Sequence, residues 1–127
     1  MIEKDIKTNG GFYDVLLDKD NCLQKVLYIF KQMLEYSTKF LDIVFVDATY
    51  RRNRFNMPLV NICGINNFGK TIMLGFALLN NETKESYDWV FSRLRAVWKT
   101  NPETFISDEC KKIIYGYFSI LLLLILK

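Results

Sequence analysis

The chain has no histidine among its 127 residues, only three cysteines and only two prolines. Without histidine there is no imidazole to serve as a general base beside a nucleophile, and the mixed Cys/His spacing of zinc sites cannot be built. Cys22, Cys63 and Cys110 lie far apart in sequence, an odd set that fits reduced thiols inside the cell, with small buried apolar residues as their expected use. The start of the chain shows no basic stretch leading into an apolar one, so secretion is not expected. Strong net charge is missing too. Lys plus Arg number 17 against 14 Asp plus Glu, a formal +3, which permits a nucleic-acid partner without requiring one.

Half of the residues are hydrophobic, enough for one buried core and too few positions for two ordinary domains. From Ile113 to Leu126 the chain is apolar or aromatic except at Gly116 and Ser119. As a helix those positions reach roughly 21 Å, short of the ~30 Å hydrocarbon core, so a membrane span is disfavoured against a buried helix, a membrane-surface segment or a reading-frame artefact.

Phe12–Leu17 and Leu23–Phe30 flank the turn formers Asp18-Lys-Asp-Asn21 and predict a hairpin, with a helix from Leu23 as the rival reading; a short helix over Lys31–Thr38 follows. Asp42–Ala48, Leu59–Ile65 and Thr71–Leu79 read as three strands of an antiparallel meander, the last two joined by Asn66-Asn67-Phe68-Gly69. Thr83 is placed to cap a helix whose Tyr87, Val90, Phe91, Leu94 and Val97/Trp98 repeat at three-to-four spacing, with Asn101-Pro102 as its stop. Thr104–Ser107 is a fourth short strand, so the core order is β-β-β-α-β.

Two acids stand out. Asp47 is carried by an apolar strand into a loop containing Arg51, Arg52 and Arg54, and Asp108 follows the last strand directly. Carboxylates on neighbouring strand ends suit hard cations such as Mg²⁺, and a pair of such ions activates the attacking oxygen and stabilises the leaving one in phosphodiester chemistry. Asp47 could equally accept hydrogen bonds from the turn after it. The arginines are candidates for phosphate contact or for a solvated basic loop. Tyr87, Trp89 and Trp98 could stack on bases, although packing of their helix on the sheet explains Trp89 more simply. Asp42 reads as a solvated strand entrance, and Glu109 points elsewhere if a helix begins there.

The ordered blocks Asp47-Ala-Thr-Tyr-Arg-Arg-Asn-Arg-Phe-Asn-Met-Pro58-Leu, Gly64-Ile-Asn-Asn, Gly75 to Thr83, Ser86-Tyr-Asp-Trp89 and Ser107-Asp108 resemble the Mutator-like element (MULE) transposase domain. They resemble as well the far-red-impaired-response proteins that look like its domesticated relatives. The likeness runs from about Phe12 to Ile114. It implies an α/β, RNase H-like fold of the DDE type, a mixed sheet preceded by the hairpin and short helix, and metal-dependent DNA cleavage and strand transfer. Asp47 matches the first acid of that family and Asp108 the second, as catalytic residues and ligands of Mg²⁺ or Mn²⁺. Thr49, Tyr50, Asn53, Asn56, Met57 and Pro58 match the block after the first acid, where a turn between strands is their expected role. DNA is the implied partner and the nucleus the implied location.

The family pattern continues with further strands, a Cys-x-x-His element and a third acid, none of which is matched before Lys127. The resemblance therefore implies a partial domain over residues 1–114 and a divergent or frame-shifted apolar tail over 115–127. Such a chain is expected to be inactive alone and prone to associate through uncovered apolar surface. A non-enzymatic DNA-binding or transcription-regulating remnant and a structural or membrane-associated fragment stand as alternatives.

Overall fold

The computed structural model describes residues 7, 9–49 and 56–107. The elements are β1 (Gly11–Leu17), β2 (Leu23–Phe30), α1 (Lys31–Ser37), β3 (Ile43–Thr49), β4 (Leu59–Ile65), β5 (Thr71–Leu79), α2 (Lys84–Val97) and β6 (Thr104–Ser107). They build a mixed six-stranded sheet in the order β1-β2-β5-β4-β3-β6. Every pairing is antiparallel except β3 with β6, which run parallel. Parallel neighbours cannot be joined by a tight turn, and α2 occupies the long crossover leading into β6.

Local chemistry accounts for the turns. Asn21 closes the first hairpin at φ 62°, while the Asp18 carboxylate accepts from the N–H groups of Asp20 and Cys22 at 2.8 and 2.9 Å. In the second hairpin Asn66 Oδ1 accepts from Phe68 and Lys70, and Gly69 takes φ 75°, a conformation that glycine enters without steric cost. Cys22 is exposed in the first of these turns. Its expected burial is therefore corrected, because the Asp18 turn holds its backbone at the hairpin tip.

The β-branched and aliphatic alternation of β3 and β4 sends Val44, Val46, Val60 and Ile62 to one face, where all are buried. β5 departs from strict alternation at a bulge opposite Ile62/Cys63. Leu74 and Gly75 are consequently both buried. A Cβ at Gly75 would meet Ile29 Cγ1 at 3.3 Å and Leu94 Cδ2 at 3.9 Å, so its lack of a side chain lets α2 sit close. Tyr87, Val90, Phe91 and Leu94 of α2 fill the core above the sheet. Burial of each such side chain is worth about 1.5–3 kcal/mol relative to exposure. α1 packs on β1, β2 and β5.

α2 begins as its sequence predicts, with Thr83 Oγ1 accepting from the Ser86 N–H at 3.2 Å. It ends at Val97 rather than at Asn101-Pro102. Trp98 turns to an extended conformation with ψ 131°, and its side chain is buried in the core cluster. Burial of the indole ends the helix before proline is reached.

Candidate metal and nucleic-acid site at the strand ends

Asp47 is the fifth residue of β3. Its neighbours Val44 and Val46 point into the core, so alternation directs the Asp47 side chain to the opposite face, where it is exposed. An ionised carboxylate there stays hydrated and needs no buried counter-ion. Across β4, Asn61 is its direct partner in register. Cys63 lies on the same face, and its thiol is pushed above the usual range, first by burial and second by the negative charge of Asp47. The Cys63 Sγ also approaches Met73 Sδ of β5 at 3.4 Å.

β6 is held beside β3 by its own chemistry. The Thr104 N–H donates to the Asp42 carbonyl at 2.8 Å, and the Phe105 ring meets Phe91 of α2 edge-on, centroids 5.6 Å apart. This sets a parallel register in which Val46 faces Ser107. The C-terminal ends of β3 and β6 therefore lie side by side. Asp108, Arg51, Arg52 and Arg54, with Tyr50 and Asn53, lie outside the described residues. On the far side of that loop Asn56 takes φ 53°, as its turn role predicts, and Pro58 is buried, its carbonyl accepting from the Leu79 N–H at 3.0 Å.

The aromatic candidates for base stacking resolve differently. Tyr87 is wholly buried and its hydroxyl donates to Glu82 Oε1 at 2.8 Å, while Trp98 is buried as well. Neither presents a ring face to a base, because both serve the core under α2. Trp89 packs against that core, with the Arg93 guanidinium 4.6 Å from its ring centroid and Arg93 Nε donating to Asp14 Oδ2 of β1 at 3.0 Å. It acts as a strut between α2 and the edge of the sheet.

Asn61 and Cys63 as neighbours of Asp47 were not singled out from sequence. Alternation in Leu59–Ile65 places both on one face, but which residue of β3 they oppose depends on register, which a loop between strands does not reveal. The oxygen donors at the strand end, the Asp47 carboxylate and the Asn61 amide, match a hard divalent cation in kind. Among the described residues no group of three or more His, Cys, Asp or Glu is placed to hold a metal. Among the same residues no helix is long and apolar enough to cross a membrane.

The MULE transposase domain model matches residues 43–117, a span that begins with β3 and includes the sheet from β3 to β6. Protein FAR1-RELATED SEQUENCE 6 of Arabidopsis thaliana is 39% identical over 107 residues, covering 84% of this chain and 15% of that protein. Protein FAR1-RELATED SEQUENCE 5 of the same organism is 31% identical over 103 residues, covering 81% of this chain and 13% of that protein. Protein FAR-RED IMPAIRED RESPONSE 1 is 28% identical over 101 residues, covering 79% and 12%. The chain thus spans about one-seventh of the length of the first of these relatives. No solved structure matches it significantly.

Proposed function

Since the chain belongs to the MULE transposase domain family, we propose that its sheet is the opening part of an RNase H-like fold and that the adjoining ends of β3 and β6 derive from a DNA-cleaving and strand-transfer site. The observation that carries this reading is the parallel β3/β6 register. It supports convergence of Asp47 with the residue that follows Ser107. The strand order β5-β4-β3-β6 further supports the family's β-β-β-α-β core.

In this reading Asp47 and Asp108 hold Mg²⁺ or Mn²⁺, and Asn61 steadies the site from across β4. The bound ion would activate the attacking oxygen and stabilise the leaving one. Arg51, Arg52 and Arg54 neutralise DNA backbone phosphates beside it. Two acids leave a two-ion site under-ligated, so the isolated chain is expected to bind DNA with little or no cleavage. Nuclear residence follows from the same reading.

A plasmid-nicking assay with Mg²⁺ or Mn²⁺, run beside duplex binding by fluorescence anisotropy over a salt series, tests this. Binding should weaken as salt rises, and replacing Arg51, Arg52 and Arg54 together by Ala should flatten that dependence. Any nicking present should vanish in both Asp47→Asn and Asp108→Asn. Binding with little or no nicking is the result expected of this chain, and the absence of any salt-dependent duplex binding overturns the DNA reading. Nicking untouched by both substitutions overturns the assigned site.

A further inference from the structure

Among the described residues the sheet ends in two edge strands, β6 on one side and β1 on the other. β1 pairs with β2 along its inner side, which leaves an outer row of backbone N–H and C=O groups for water or for another strand. Phe12–Leu17 is apolar or aromatic except for one charge, with no proline and no glycine, the composition of a segment that pairs with a copy of itself. Leu16 and Leu17 at its end are exposed. The single charge is Asp14. Its side chain lies on the helix-covered face opposite Leu27, and its Oδ1 accepts from the Val15 N–H at 2.9 Å. An N–H spent on this carboxylate is not donated to β2 and is not free for an incoming strand. Asp14 Oδ2 accepts from Arg93 Nε at 3.0 Å, and the Arg93 guanidinium rests over the Trp89 ring.

We infer that the free edge of β1 is a pairing surface for β1 of a second copy of this chain, and that Asp14, fixed by Arg93, holds it shut. The regular part of β1, Phe12–Leu16, stops at the irregularity between Leu16 and Leu17 and has Asp14 at its centre. Two identical strands meeting antiparallel about a two-fold axis then set Phe12 opposite Leu16, Tyr13 opposite Val15, and Asp14 opposite Asp14 of the other copy. The first two pairings join apolar and aromatic side chains and favour association, whereas like charges directly opposite oppose it. The same carboxylate withholds the Val15 N–H from the new ladder, and Arg93 keeps it from swinging away. A neutral residue at position 14 would turn the guarded edge into a seam between two sheets. β1 lies at the far edge of the sheet from β6, so pairing there leaves the Asp47 face open and holds whether or not the strand-end site is catalytic.

Sedimentation equilibrium of the full chain tests this. Asp14→Val should dimerise about tenfold more tightly than the unaltered chain, and adding Val15→Pro, which removes the outward donor, should abolish the gain. An Asp14→Val chain that associates no more tightly than the unaltered one overturns the inference. A gain that Val15→Pro leaves intact also overturns it, since another surface is then responsible. Because proline could disturb β1, a second measurement does without it. In the full chain carrying Cys22→Ser, Cys63→Ser and Cys110→Ser, Asp14→Cys removes the charge and puts a thiol opposite its own copy, within disulfide reach. Oxidation with copper phenanthroline should give a disulfide-linked dimer on non-reducing gels. Tyr13→Cys in the same background keeps Asp14 and faces position 15, and should remain a monomer. No link at position 14, or equal linking at both positions, overturns the inference.

Discussion

Asp47 and Cys63 illustrate how one residue sets the chemistry of another across a strand pair. The carboxylate is exposed and the thiol half-buried, and both burial and the nearby negative charge hold the Cys63 thiol above its ordinary range. Asp47→Asn removes only the second cause. Alkylation of Cys63 by iodoacetamide at pH 8 should therefore speed up, with a lowered midpoint in its rate against pH that still lies above the ordinary thiol value. An unchanged profile would show that the charge does not reach the sulfur. Lys25 shows the opposite sign. Burial pulls its amine below the ordinary range and Glu85, at the start of α2, partly offsets this. The charged form then costs stability at pH values below the folded-state pKa, and the cost is relieved as pH rises through that value toward the unfolded one. Lys25→Met should raise the urea midpoint at pH 7, and its advantage over the unaltered chain should shrink by pH 10.

The elements owe their boundaries to contacts of different reach. The start of α2 is local: Thr83 accepts from the Ser86 N–H, and Ser86, fully buried, donates to Asn81 Oδ1. Thr83→Ala should cost about 1 kcal/mol in chemical denaturation, while Thr83→Ser should restore most of it. The end of α2 is not local, since Trp98 leaves the helix to enter the core. β4 carries a similar non-local demand. A Cβ at Gly64 would lie 3.1 Å from the Phe40 carbonyl oxygen and 3.1 Å from Leu74 Cδ1. The backbone oxygen cannot move aside as a side-chain end can, so Gly64→Ala should destabilise by about 1–3 kcal/mol. A calorimetric melt unchanged by this substitution would contradict the close approach of β4 to the chain entering β3.

At the scale of the whole molecule, the helix-covered face has one organising contact set, in which Leu94 is fully buried and rests over Gly75. Leu94→Ala should cost about 2–5 kcal/mol by urea titration, and β6 should lose amide-exchange protection first because Phe105 is held by Phe91 of the same helix. The strands, the two hairpin turns and the cap of α2 were legible in the sequence because alternation, turn residues and capping act over a few neighbouring positions. The acid at the end of β3 was legible for the same reason: an apolar run ending in a carboxylate is a local pattern. Tertiary structure decided what spacing cannot encode. The β3/β6 parallel register, the pairing of Asp47 with Asn61 and its reach to Cys63, the bulge at Leu74/Gly75 and the burial of Tyr87 and Trp98 all arise between segments distant in the chain. The apolar strands make a sheet possible, but only the packing of α2 and the alignment of non-adjacent strands select which residues meet.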